Sequence, residues 1–200
     1  MNLQAGFDGL LALVAFWVVL GPARQRPALQ LGCLLLGCAA VLGTLRFSGL
    51  LPLPKLHQFV SLLGAGVGLP LLCFGLVKPA GVVALQRRFT WIFAVVAAVL
   101  CVLIGVVAGV KLWGSVCAFA SALIIVAASA ARKDMIALCS GGCMVFAFAA
   151  FAGQLRAGPL QPGEFLHIGL ALALLFLGVW VTSQQRRSNP ATEAETGTFA

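Results

Sequence analysis

RFSGLLPLPKLH, residues Arg46 to His57, returns 110 positions later as RAGPLQPGEFLH, residues Arg156 to His167. Held without a gap, that offset pairs Leu45 and Arg46 with Leu155 and Arg156, Leu50 with Leu160, Pro52 with Pro162, and Leu56 and His57 with Leu166 and His167. The last pair uses the chain's two histidines. Extended outward, the register also pairs Gly32 and Cys33 with Gly142 and Cys143, Ala39 and Ala40 with Ala149 and Ala150, Gly43 with Gly153, Leu62 with Leu172, and Gly68 with Gly178. That makes 13 identities over the 37 positions from Gly32 to Gly68. A chain this rich in Leu, Ala and Gly matches itself by chance at roughly a tenth of positions, so the pattern points to an internal duplication. Each copy closes one apolar run and opens the next, so its reading decides the fold.

Of the 200 residues, 62% are apolar and 9% charged. A soluble domain carries about a quarter charged residues, so the composition is that of an integral membrane protein. The net charge of +8 does not indicate nucleic acid, because no basic run interleaves with aromatics and the basic residues fall in short gaps between apolar runs. Positive-inside loops account for the excess. All seven cysteines lie within apolar runs, where they read as small residues at helix contacts rather than disulfides or ligands.

Seven runs are long enough to span a bilayer: Leu3 to Leu20, Ala28 to Leu45, Leu56 to Val77, Phe89 to Val107, Leu112 to Ala131, Met135 to Gly153 and Phe165 to Thr182. No positive residue precedes the first, and Arg24 and Arg26 follow it. A signal peptide has the opposite pattern, so this run is expected to be a retained helix. Pro52 and Pro54 open the third run, where a proline costs no helical hydrogen bond. Beyond Ser188 no apolar period remains, which predicts a disordered cytoplasmic tail over 188–200.

The basic residues orient the spans. Nine (Arg24, Arg26, Lys78, Arg87, Arg88, Arg132, Lys133, Arg186 and Arg187) fall on one side and four (Arg46, Lys55, Lys111 and Arg156) on the other. The richer side is expected to be cytoplasmic, which puts the N-terminus outside and the C-terminus in the cytoplasm. Trp91, Trp113 and Trp180 fall near span ends, as interfacial tryptophans do, and Trp17 near the inner end of the first span. The offset carries spans one to three onto five to seven in the same orientation. The expected architecture is therefore an all-α, 3+1+3 parallel internal repeat. Its parts are a first three-helix half over 1–77, a loop and linker helix over 78–108, and a second half over 109–187. In topology this resembles the SWEET and PQ-loop transporters and the microbial rhodopsins. The chain has no Pro-Gln dipeptide, however, and no lysine in its seventh span, so no family follows from the motifs. The expected location is a bacterial inner (plasma) membrane.

The candidate ligand-binding residues are His57, His167, Arg46, Arg156 and Asp8. Both histidines lie in the first turns of spans that enter from outside. His57 is 20 residues before Val77, about 30 Å of helix, which places it at the outer edge of the hydrocarbon. Against a site stands the ordinary reading of an interfacial histidine as a helix cap and of an arginine snorkelling to headgroups. Repetition in matching context favours the site. Acids within spans are rare and face cavities, which singles out Asp8; a solvated helix start is its structural alternative. Glu164 is accounted for by the N-terminus of the seventh helix. Cys139 and Cys143 share a helix face, but the pair is not duplicated, so no metal is assigned. Gly64-Ala65-Gly66 and Gly141-Gly142 mark close helix contacts or unwinding, and Gly64 and Gly68 have GxxxG spacing.

Three functions fit these residues. The leading one is a protein that binds or transports a small solute at an outward-facing site between two halves, with no enzymatic step. A second is a haem b protein with His57 and His167 as axial ligands and Arg46 and Arg156 near the propionates. A third is a lipid-modifying membrane enzyme using Asp8 and the histidines as acid and base. The expected partners are the bilayer and a small solute or lipid, with no nucleic acid.

Overall fold

The computed structural model describes residues 3–77 and 83–188, with side chains from 3–77 and 87–187. Of the loop predicted from Lys78 to Arg87, residues 78–82 lie outside the described residues and the rest, from Val83, is helical; of the predicted tail, 189–200 lie outside them and Ser188 ends a helix. Among those described, the regular elements are all helices, joined by short turns, and the β-type pairing found is an isolated bridge between Ala157 and Leu160. Seven helices are long and apolar enough to cross a membrane, which makes the architecture that of a multi-pass membrane protein. They are α1 (Leu3–Leu20), α2 (Pro27–Phe47), α3 (Pro54–Val77), α4 (Arg87–Val107), α5 (Trp113–Ala131), α6 (Met135–Ala152) and α7 (Pro162–Ser188). The α4 span continues a helix that starts at Val83.

The ends follow from local chemistry. Proline occupies the first turn of α2, α3 and α7, where its missing N–H leaves no bond unmade. This is why α3 and α7 begin before the apolar runs at Leu56 and Phe165. Just past α2 and α4 the chain turns through a left-handed residue, Gly49 (φ 80°) and Gly109 (φ 69°), the usual helix stop. After α5 and α6 the same turn falls on Lys133 (φ 54°) and Gln154 (φ 53°). Asp134 caps α6, its carboxylate accepting from the Ala137 N–H at 3.3 Å. Glu164 accepts from the Gln161 N–H, the reciprocal half of a capping box, and so anchors the start of α7. That helix outruns its apolar stretch by six residues, from Thr182 to Ser188. Its polar end is held by Gln185, which donates to the Pro22 carbonyl at 3.1 Å.

Two spans contain widened turns. α3 is π-helical over Gly64–Gly68 and α4 over Cys101–Val107, so the Gly64-Ala65-Gly66 stretch is a local unwinding, as its composition implied. The Cys101 thiol packs on Gly66 and donates to the Leu62 carbonyl at 3.5 Å. Gly141 lets α6 lie on Ile125 and Val126 of α5, whereas Gly142 meets nothing.

Helix packing forms a ring in the order α1, α2, α3, α5, α6, α7 and back to α1, with α4 outside it against α2 and α3. The ring's interior is filled by Val18, Leu29, Leu72, Met144, Leu174 and Leu177, each fully or almost fully buried. α2 and α3 touch backbone to backbone: a Cβ at Gly32 would lie 2.7 Å from the Gly68 carbonyl oxygen. At one rim α1, α3 and α7 begin and α2 ends. At the other, Arg132 donates to the Leu76 carbonyl at 3.0 Å and closes the end of α3. Trp180, near the end of α7, is packed inside the bundle. It is 5% exposed, because its indole N–H donates to the Asp134 carboxylate and Arg26 covers its face at 4.8 Å. Burial there lowers the Arg26 pKa from its ordinary value, a desolvation that the indole face partly offsets.

Candidate functional site

Asp8 lies a turn and a half into α1, about 7 Å below its start, and is 1% exposed. A carboxylate so placed requires space and a partner. The space comes from Gly43 of α2, where an added Cβ would lie 2.7 Å from the Asp8 Cγ and closer still to Oδ2. The partner is His167 of α7, whose Nδ1 is 3.0 Å from Asp8 Oδ1. The contact is a close approach without an aligned hydrogen bond at that nitrogen, and Asp8 Oδ2 is buried without a partner.

His57, at the start of α3, makes a different pair. Its Nδ1 is 3.2 Å from Arg46 Nη1 at the end of α2. As a guanidinium only donates, this contact uses Nδ1 as acceptor and leaves the ring's proton on Nε2. Phe47 meets the His57 ring edge to face at 5.8 Å and lies under the Arg46 guanidinium at 5.1 Å, so a T-shaped ring and a cation–π contact hold both groups.

The two pairs meet at a cavity of about 130 Å³ inside the ring. Asp8, His57 and His167 line it together with Ser61 and an apolar floor that includes Leu69 and Leu170. The walls come from α1, α2, α3, α6 and α7. A cavity of about 150 Å³ is enough to hold benzene, so this one suits a few waters or a solute of a few heavy atoms. A charged or strongly polar solute would find an acceptor in Asp8 Oδ2 and polar walls in the two imidazoles.

Four of the five candidate residues gather here: Asp8, His57 and His167 line the cavity and Arg46 supports His57. Arg156 does not join them. It is exposed on the connector before α7, with no polar side-chain contact among the described residues. Sequence reasoning missed Gly43 as the seat of the carboxylate and Ser61 as a lining residue. Ser61 was detectable by its spacing, one turn beyond His57 on the same helix face.

The geometry also bears on the other functions. Pockets that enclose drug-sized ligands measure about 300–1,000 Å³, so a 130 Å³ space does not fit a porphyrin without moving helices. Among the described residues the Ser61 hydroxyl makes no hydrogen bond to either histidine, so this serine is not paired with a base in the cavity. Cys139 is exposed and Cys143 half-buried, and among the described residues no three His, Cys, Asp or Glu side chains are arranged to hold a metal ion. Compared with protein-family models, curated proteins and solved structures, the chain has no match.

Proposed function

We propose that this protein binds a small hydrogen-bond-donating solute in the Asp8 cavity and passes it across the membrane between two repeated three-helix halves. The observation that carries this reading is the unpartnered oxygen of a buried acid. Leaving a carboxylate oxygen desolvated and unpaired costs free energy, and acids kept inside spans characteristically serve a pathway or relay. A donor entering the cavity satisfies Oδ2, while His167 already lies against Oδ1.

Two further observations support the two-halves arrangement. Exchanging the halves, α1, α2 and α3 for α5, α6 and α7 and the reverse, turns the contacts α1–α2, α2–α3 and α3–α5 into α5–α6, α6–α7 and α7–α1, and all six are present in the ring. The cavity also lies at the rim with fewer basic residues, which the positive-inside bias makes external. Parallel repeats about an axis along the membrane normal are an established way to build sites with alternating access. The haem and lipid-enzyme readings gain no comparable support from the cavity.

The test uses the full chain in lipid nanodiscs with ammonium, methylammonium, guanidinium, urea and glycerol as probes. At least one should raise the unfolding temperature of the wild type in a saturable manner, reaching about 2.7 kcal/mol at a hundred times its dissociation constant. Asp8→Asn should abolish the response. A wild type indifferent to every probe would overturn the proposal, as would an Asp8→Asn variant that responds unchanged.

A further inference from the structure

The opposite rim holds a larger recess that the solute site does not use. It measures about 460 Å³ and lies between the α1–α2 turn and the start of α4. Its lining includes Arg24 and Arg87, the polar Gln25 and Gln30, and the apolar Leu34 and Trp91. No acidic residue lines it, and among the described residues neither arginine has an ion pair. Two guanidiniums around one recess with no counter-charge suit an anion, and their planar forks suit phosphate oxygens in particular.

The recess does not end at the rim. A second space of about 220 Å³ runs between α2, α3 and α4, lined by apolar residues that include Leu35, Leu63, Val67 and Ala98. Leu31 and Trp91 belong to both spaces, so the basic recess continues into an apolar furrow. On α4 the furrow follows Trp91, Val95 and Ala98, about 10 Å of helix toward the membrane centre. A free phosphate ion uses only the upper part of this shape, whereas an anionic headgroup joined to an acyl chain uses both. Basic pockets between spans on the cytoplasmic side are where such headgroups bind.

We infer that the groove between α2 and α4 is a binding site for an anionic glycerophospholipid, with Arg24 and Arg87 on the phosphate and an acyl chain along the Trp91–Ala98 face. The lipid fills the space between the ring and α4, which stands outside it, and so seats that helix against α2.

Native mass spectrometry of the detergent-solubilised protein tests this, with phosphatidylglycerol, phosphatidylcholine and glycerol phosphate titrated separately. Phosphatidylglycerol should bind more tightly than phosphatidylcholine, and glycerol phosphate should bind weakly or not at all. Arg24→Gln with Arg87→Gln should weaken phosphatidylglycerol about thirtyfold, about fivefold for each basic residue near an anionic surface. Both arginines are exposed, so the double variant should fold, and its gel-filtration profile and unfolding temperature verify that. Arg186→Gln with Arg187→Gln removes the same charge elsewhere and should leave affinity within about twofold. Equal binding of the two lipids, an equal loss in both double variants, or glycerol phosphate matching the whole lipid would each overturn the assignment.

Discussion

Replacing Gly43 by alanine tests the geometry around Asp8 directly, because the added methyl has nowhere to go. Its carbon would lie 2.7 Å from the Asp8 Cγ and 3.1 Å from Oδ1. Ordinary contact begins at about 3.4 Å, so the carboxylate must turn or α1 must leave α2. Turning moves Oδ1 off His167, which it now meets at 3.0 Å. Overpacking of this kind costs about 1–3 kcal/mol, and alanine's better helix propensity returns about 1 kcal/mol. The expected net loss is about 0–2 kcal/mol, a fall in unfolding temperature of up to about 8 °C, together with loss of solute binding. The decisive arm is the double variant: Asp8→Ala removes the obstacle, so Gly43→Ala in that background should stabilise by about the propensity difference. Thermal unfolding of the four proteins in one detergent measures the cycle. If Gly43→Ala stabilises the wild type as much as it stabilises Asp8→Ala, the two residues do not meet, and the reasoning from Asp8 to the cavity fails.

Three further predictions follow from other contacts. Cysteines placed at Gln25, Val82 and Ser188 should react with an impermeant thiol reagent only after the membrane is opened, and those at Gly49 and Gln161 in intact cells; the reverse pattern would invert the orientation. His57→Ala and His167→Ala should add in stability within about 0.5 kcal/mol, since they hold different partners, yet should couple by about 0.5–3 kcal/mol in solute affinity because they line one cavity; additive affinity losses would rule out a shared site. Asp134→Ala should cost about 2–4 kcal/mol in thermal unfolding, about 1 for the α6 cap and 1–3 for the buried Trp180 N–H it leaves unpaired, and Trp180→Phe should recover part of that loss when combined with it; no recovery would show that the indole contact contributes nothing.

The spans were legible because crossing a bilayer needs about 20 apolar residues, a signal that survives without any knowledge of partners. Their ends were less legible wherever tertiary contacts extend a helix past its apolar run, as Gln185 does for α7 through Pro22. Asp8 stood out because it is an acid in a span, but nothing local names His167 as its neighbour across 159 positions of sequence. Gly43 was visible only as a repeat identity, since a glycine under a carboxylate looks like any other glycine in an Ala- and Gly-rich helix. Trp180 was legible as a residue near a span end, but its burial was not, because the carboxylate that takes its N–H, Asp134, is 46 positions away.

The two histidines correspond in sequence but not in surroundings, and the difference shows where the proposed halves would part. Under the 110-residue register Asp8 corresponds to Ala118, which is 1% exposed and offers no charge. Arg46 corresponds to Arg156, which is exposed and stands away from His167. His57 therefore takes an arginine from its own half, while His167 takes an acid from the other. The Asp8–His167 contact crosses the α7–α1 seam. The other seam, α3–α5, is apolar at the same rim, where Gly114 packs on Leu62 and Ala65. At the opposite rim Arg132 bonds the last carbonyls of α3 across that seam. The α7–α1 seam is also packed, since Trp17 of α1 lies on Gly178 of α7, but of the two seams it is the one whose side chains on both sides line the cavity. A ligand can shift a conformational equilibrium only through contacts that differ between the two states. In the proposed cycle those contacts sit at Asp8, so the α7–α1 seam opens and closes with the solute while α3–α5 serves as the hinge.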